Sequence, residues 1–287
     1  MRRIAGILIT LLSAAAFGTL AIFGRLAYAA GLDTFTLLFL RFTIATLLMG
    51  GLLALRREPL PRGKTLLQLI GMGGIGYAGQ SFCYLTAIKY ASAGLVALLL
   101  YLYPAMVAVL SALFLKEKIN RSKIIALLIA LTGTALTVRP GSGQWQGMLL
   151  ALGAAGIYSI YILVGAGVMK QVSAFQSTPV IFASAGVVYG GLVALNGAHW
   201  PVDAAGWWAV AGTVLVPTLI AVTAFLMGIQ YIGPTDASML STLEPVVTVI
   251  LAAIFFSERL DALTLLGGGL ILTAVILLTR DETSRQM

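Results

Sequence analysis

The sequence predicts an all-α membrane protein of ten transmembrane helices, built as two inverted five-helix repeats around a central cavity. Three observations predict it. The 287 residues are 60% hydrophobic and 10% charged, with a mean hydropathy of +1.00, where a soluble chain carries roughly 25% charged residues. Runs of about 20 apolar residues, each long enough to cross a bilayer as a helix, recur along the whole chain. The chain also repeats itself. The same 141 positions separate Pro104 from Pro245, Glu117 from Glu258, Asn120 from Asp261, and the pair Lys89-Tyr90 from Gln230-Tyr231. That offset holds from about Ala14 to about Thr279, so the units are 1–140 and 141–287.

Span 1 is expected at about Ile4–Tyr28. Met1-Arg2-Arg3 and Ala14-Ala15-Ala16 resemble a secretory leader, but Phe17-Gly18 has its echo in Tyr158-Ser159, which makes the segment part of the repeat. Span 2 (about Thr34–Leu55) carries Arg41 and ends at a basic loop, Arg56 to Lys64, broken by Pro59 and Pro61. Spans 3 to 5 follow at about Leu66–Ala87, Ala93–Leu115 and Ser122–Val138. Arg139-Pro140-Gly141-Ser142-Gly143 joins the units. Spans 6 to 10 are expected at about Gly147–Gly167, Phe175–Leu195, Ala209–Gln230, Thr235–Phe256 and Ala262–Leu278. Asn120 and Asp261 stand where N-caps belong, before spans 5 and 10, after tight turns that make antiparallel hairpins.

The basic residues orient the chain. With the N-terminus inside, the inner segments hold 13 of them (Arg2, Arg3, Arg56, Arg57, Arg62, Lys64, Lys116, Lys118, Arg121, Lys123, Lys170, Arg280, Arg285) and the outer ones 3 (Lys89, Arg139, Arg259). The positive-inside rule then puts both termini in the cytoplasm of a multi-pass cell-membrane protein. It also explains the net charge of +8 without nucleic acid. An odd number of crossings followed by its own copy places the copy upside down. Inverted halves of this kind hold a solute near the bilayer midplane and work by alternating access.

In Phe17-Gly18, Arg41-Phe42, Tyr103-Pro104 with Glu117, and Leu243-Glu244-Pro245 with Glu258, the chain resembles the drug/metabolite transporter superfamily, and within it the EamA family of ten-helix exporters. The likeness covers both halves, about 130 residues each. It implies a cytoplasmic-membrane carrier that exports amino acids and related metabolites, with a cavity lined by spans other than the fifth and tenth. The second half departs from the pattern: Phe182 stands where Arg41 repeats, and Tyr158-Ser159 where the aromatic-Gly pair does.

Tyr77, Gln80, Ser81 and Tyr84 are spaced i, i+3, i+4, i+7 and form one polar-aromatic stripe on span 3. A lipid-facing position would leave it unsatisfied, so a watery cavity or a neighbouring helix is expected there. Tyr158 and Tyr161 are similarly spaced on span 6, and Tyr101 joins these as a substrate-lining candidate. On span 8, Thr218 and Phe225 repeat Tyr77 and Tyr84. Arg41 and Glu244 lie at similar depth, about 10 and 14 Å into their spans at 1.5 Å per residue. A charge at that depth costs about 2.5–3.5 kcal/mol on insertion scales. Glu244 is read as binding a substrate amine or a coupling proton. A structural acid that pairs with Arg41 is the alternative, and Arg41 itself is read as a structural charge.

Pro104, Pro245 and Pro217 remove mid-helix donors and are hinge candidates, with fixed bends as the alternative. Glu117 and Glu258, beside Lys118 and Arg259, are expected to tie down hairpins. Glycines 71, 73, 74, 76 and 79, Gly186 with Gly190, and Gly267 to Gly269 speak to close helix packing. Lone Cys83 is a packing residue, and lone His199 sits in a loop. The chain lacks a His-based relay, a Gly-x-Ser-x-Gly turn, a paired-carboxylate motif and a phosphate loop, which argues against an enzyme, a metal site, a cofactor or direct ATP drive. The expected partners are a small-molecule solute and the lipid bilayer, with a monomer as the working assembly. The leading solutes are amino acids, aromatic ones included. A passive channel, or a carrier of drugs or nucleotide sugars, is the alternative.

Overall fold

The computed structural model describes residues 2–90, 99–116, 120–137, 145–256 and 262–284. Among these every regular element is a helix, and there is no strand. Six stretches are long and apolar enough to cross a membrane, at 3–29, 34–55, 145–168, 174–196, 204–232 and 234–255, and two shorter apolar helices cover Tyr103–Phe114 and Leu265–Ala274. Large apolar side chains such as Leu8, Leu47, Leu113, Leu128, Val187 and Leu266 stand exposed. Such a surface suits lipid rather than water. The protein is an all-α, multi-pass membrane protein.

Span 1 is not one straight rod. It divides into α1 (Arg2–Gly18) and α2 (Leu20–Ala29) at Thr19, whose hydroxyl donates to the Ala16 carbonyl at 2.7 Å and competes with the helix ladder. Asp33 caps α3 (Thr34–Leu55) by accepting from the amides of Phe35 and Thr36. Span 3 comprises α4 (Gly63–Gly71), a π-helical stretch at Met72–Tyr77, and α5 (Ala78–Tyr90). Next come α6 (Tyr103–Phe114) and α7 (Arg121–Thr137). The Asn120 side chain accepts from the Lys123 amide at 2.8 Å, as an N-cap does.

The second half opens with α8 (Trp145–Val168), followed by α9 (Ala174–Asn196), which starts on a capping box of Ser173 and Gln176. Span 8 comprises α10 (Ala204–Val214), a second π-helical stretch at Leu215–Ile220, and α11 (Ala221–Ile232). Gly233, at φ 83°, turns the chain into α12 (Pro234–Leu240). A single 3₁₀ turn at Ser241–Leu243 leads to α13 (Glu244–Phe256), and α14 (Ala262–Ser284) closes the fold.

Pro104 and Pro245 were expected in mid-helix, and the structure corrects that. Each stands in the first turn of a helix that restarts, α6 after a turn at Tyr101-Leu102 and α13 after the 3₁₀ turn. A first-turn proline gives up an amide that has no intrahelical partner anyway. Pro217 lies inside the second π-helical stretch. Residues 139–143, Glu117, Glu258 and Asp261 lie outside the described residues.

The helices that pack most extensively are α7 with α14, α3 with α9, α1 with α11, and α5 with α8. Glycine permits several of these approaches. A Cβ on Gly133 of α7 would meet the Gly267 carbonyl of α14 at 2.6 Å, and one on Gly73 would run into the backbone of Ile181 on α9. Gly186 and Gly190 lie against Phe42 and Phe39 of α3. The ends of the rods sort into two groups. At one end Thr65 donates to Gln171 at 2.7 Å and Gln176 to the Pro59 carbonyl at 3.0 Å, and Arg3 meets Asp236 at 3.1 Å. At the other, the His199 amide donates to Thr36 at 3.0 Å and Trp200 packs edge-on against Phe39.

Candidate functional site

The centre of the bundle is built around a proline. In an α-helix the amide of residue 217 would donate to the Thr213 carbonyl, and Pro217 has no such amide. The backbone widens into the π-helical stretch, and the Thr218 hydroxyl donates to that carbonyl instead at 2.7 Å. The Thr218 oxygen is then held as an acceptor. Arg41 reaches it from α3 through Nε at 2.5 Å, while Nη2 donates to the Tyr77 hydroxyl at 3.2 Å and to the Pro217 carbonyl at 3.3 Å. The guanidinium lies over the rings of Phe42 and Tyr77, at 5.1 and 5.9 Å. Arg41 is 3% exposed. Three helices from both halves therefore meet at one cation.

Tyrosines continue from there. Tyr77 stacks on Tyr161 at 5.7 Å, Tyr161 on Tyr158 at 5.9 Å, and Tyr158 meets Tyr103 edge-on at 4.9 Å. Tyr101 lies 6.4 Å from Tyr103, and Phe225 stacks on Tyr158 at 6.2 Å. Gly76 makes room for this run, since a Cβ there would come within 3.2 Å of the Tyr161 ring. Glu244 opens α13 beside these rings, where the positive end of the helix favours a carboxylate. Its side chain accepts from the Tyr101 hydroxyl, and Tyr103 bonds Ser241 one turn earlier. Tyr77, Tyr84 and Tyr158 also stand within electrostatic reach of Glu244. Gly18 lets α1 close onto this point: Thr248 donates to the Gly18 carbonyl at 3.1 Å, and a Cβ on Gly18 would lie 3.0 Å from the Glu244 carbonyl. Among the described residues, the Tyr161 hydroxyl is buried without a hydrogen-bond partner.

Of the residues singled out from the sequence, the structure brings Tyr77, Tyr101, Tyr158, Tyr161 and Glu244 into one cluster, with Arg41 at its edge. The stripe on span 3 divides among neighbours. Ser81 lies beside Tyr189 of α9, whose hydroxyl donates to the Ala78 carbonyl at 2.9 Å, and donates weakly to Gln80 at 3.4 Å, while Tyr84 packs with Ala87, Leu99, Leu150 and Ala151. Arg41 does not pair with Glu244: its acceptors are Thr218, Tyr77 and Pro217. Phe182, in the repeat position of Arg41, is fully buried and lies 6.2 Å from Phe42. Neither Thr218 as the acceptor for Arg41 nor Ser241 stands out from residue spacing in the sequence. Nor does Asp236, an acid one residue inside span 9, which holds Arg3 at 3.1 Å and Lys123, both from the first half. Lys123 is itself buried and is more than an inner-loop charge. A cavity of about 460 Å³ lies among Leu115, Met169, Lys170, Gln230 and Pro234, at the helix ends near Asp236 and away from the tyrosines.

Comparison with known proteins agrees with this architecture. The chain matches the EamA-like transporter family twice, over residues 4–139 and 145–280. It is 28% identical over 271 residues to an uncharacterized transporter of Archaeoglobus fulgidus, covering 94% of each chain. It is 27% identical over 281 residues to the pseudopaline exporter of Pseudomonas aeruginosa, covering 96% of each. A crystal structure with 22% sequence identity superposes with a TM-score of 0.86 over 97% of this chain and 98% of that one, which establishes a shared fold. The protein belongs to the EamA-like transporter family, as two copies of its unit in one chain, and is a membrane transporter and not an enzyme.

Proposed function

We propose that the protein is a secondary exporter of small amino-acid-like metabolites, working by alternating access in the cell membrane with both termini in the cytoplasm. Its halves, 1–140 and 141–287, are inverted copies of five spans each. The packing supports that reading. Under a 141-residue offset, the pair α1 with α11 exchanges with α8 with α5, while α3 with α9 and α7 with α14 each map onto themselves. The breaks before Pro104 and Pro245 fall at matching positions, and both π-helical stretches lie in matching spans. The relative named as a pseudopaline exporter supports export as the direction.

The observation that carries the reading is Glu244, a carboxylate at a helix restart with one tyrosine hydroxyl bonded to it and a wall of tyrosine rings around it. Rings and hydroxyls together suit a small solute with an amine and an apolar side chain. Tyr77, Tyr84, Tyr101, Tyr158, Tyr161, Gln80 and Ser81 line its path, and Pro104, Pro217 and Pro245 mark where the helices bend as access alternates. Counterflow in proteoliposomes tests it. Unlabelled amino acid inside the vesicle accelerates uptake of radiolabelled amino acid, as it does for a carrier and not for a channel. Glu244→Gln lowers that exchange at least tenfold. Exchange that is unaffected by Glu244→Gln removes the carboxylate from the site.

A further inference from the structure

Among the described residues, Arg41 is a buried charge with no acidic partner. Its Nε and one Nη are taken by Thr218, Tyr77 and the Pro217 carbonyl, all neutral, and the remaining Nη has no protein acceptor among the described residues. The described acidic side chains are engaged elsewhere. Asp33 and Asp203 cap helices, Glu58 faces Arg56 and Ser173, Asp236 holds Arg3 and Lys123, and Glu244 takes Tyr101. A cation kept inside an apolar bundle by neutral partners alone is costly, and a bare fold has no use for that cost.

Its setting is that of a receptor for an anion. The two rings fix the plane of the guanidinium, and the two bonded nitrogens fix its rotation. With Nε and both Nη2 hydrogens taken, the Nη1 edge is left, held in place, to donate a charge-assisted hydrogen bond to one oxygen of a carboxylate. Tyr77 ties this edge to the rest of the site. Its hydroxyl accepts from Arg41, and it lies within electrostatic reach of both Arg41 and Glu244.

Resting on the reading of the tyrosine cluster as the solute site, we propose that Arg41 anchors the solute's carboxylate while Glu244 holds its ammonium. The site thus takes zwitterions, α-amino acids with an aromatic or apolar side chain, and discriminates against the same molecules without the acid. The buried cation and the buried anion are each neutralised by opposite ends of one solute, so the empty site is the one with unbalanced charges. Phe182 occupies the repeat position on α9, so the second half offers no such anchor.

Ligand-induced thermal stabilisation of the full chain in detergent tests this with L-phenylalanine and L-phenylalaninamide, which keeps the ammonium and lacks the carboxylate. Wild type binds the acid roughly tenfold or more tightly than the amide, the scale of a charge-assisted hydrogen bond. Arg41→Gln abolishes the preference for the acid over the amide, and Arg41→Lys falls between. The ligand-free melts of both variants report whether they fold, and the acid-to-amide ratio in wild type needs no variant. Equal affinity of wild type for acid and amide, or an undiminished preference in Arg41→Gln, overturns the anchor while the carrier reading stands. If wild type binds neither compound, the amino-acid reading fails and the anchor fails with it.

Discussion

Arg41 and Asp236 keep a charge inside the bundle in different ways. Asp236 is 3% exposed and is neutralised by Lys123, 7% exposed, with Arg3 completing the cluster from the partly open side. Removing one partner of such a group strands the other. Asp236→Ala should therefore destabilise by about 3–5 kcal/mol, read as a fall in the detergent melting midpoint, while Lys123→Met combined with Asp236→Leu should recover most of the loss. Thr218 has a smaller task with two parts, receiving Arg41 and completing the Thr213 carbonyl. Thr218→Val loses both at a cost of about 1–3 kcal/mol. At the opposite end, burial pushes the Asp33 carboxyl up, but hydrogen bonds from Thr36 and the Phe35 amide, with His199 nearby, outweigh it and hold the group below its usual range. Its support for α3 is accordingly present above the unfolded-state value and lost as pH falls through the depressed one. An Asp33→Ala chain should show a smaller drop in melting midpoint between pH 6 and pH 3 than wild type.

Among the elements, spans 3 and 8 combine a π-helical stretch with glycines or a proline, and that pairing positions the site. Gly73 lies on the inner side of its stretch with the Ile181 backbone above it, whereas Gly71 has open space around it. Gly73→Ala should cost about 1–3 kcal/mol as an overpacked interface, and Gly71→Ala should leave the melt unchanged. An equal response at the two positions would contradict the close approach of α9. Pro104, in the first turn of α6, should tolerate alanine with little loss of stability. An effect of Pro104→Ala on exchange rate alone would mark it as part of the moving parts.

On the scale of the whole molecule, orientation is open to direct test. In a chain with Cys83 replaced, a cysteine at Val202 should react with a membrane-impermeant maleimide from outside whole cells, and one at Lys170 only after lysis. Much of this architecture was legible in the sequence because apolar length and a fixed offset are local or periodic signals. Asn120 as a cap and the shared face of Tyr158 and Tyr161 follow from such spacing. What escaped depends on contacts far apart in the chain or on backbone repair. Lys123 and Asp236 meet only once both halves are packed. The reach of Arg41 to Thr218 follows from what Pro217 does to its helix, and no spacing rule announces that.

The lone arginine has a bearing on the cycle as well. Two copies of one fold, exchanged by a twofold rotation, would rock as a level seesaw, with inward and outward postures equal in free energy. Because α3 carries a cation where α9 carries Phe182, the seesaw is weighted on one arm. On the alternating-access reading proposed above, the unloaded protein should then rest with one mouth open more of the time than the other, and a solute that balances the charge should level it.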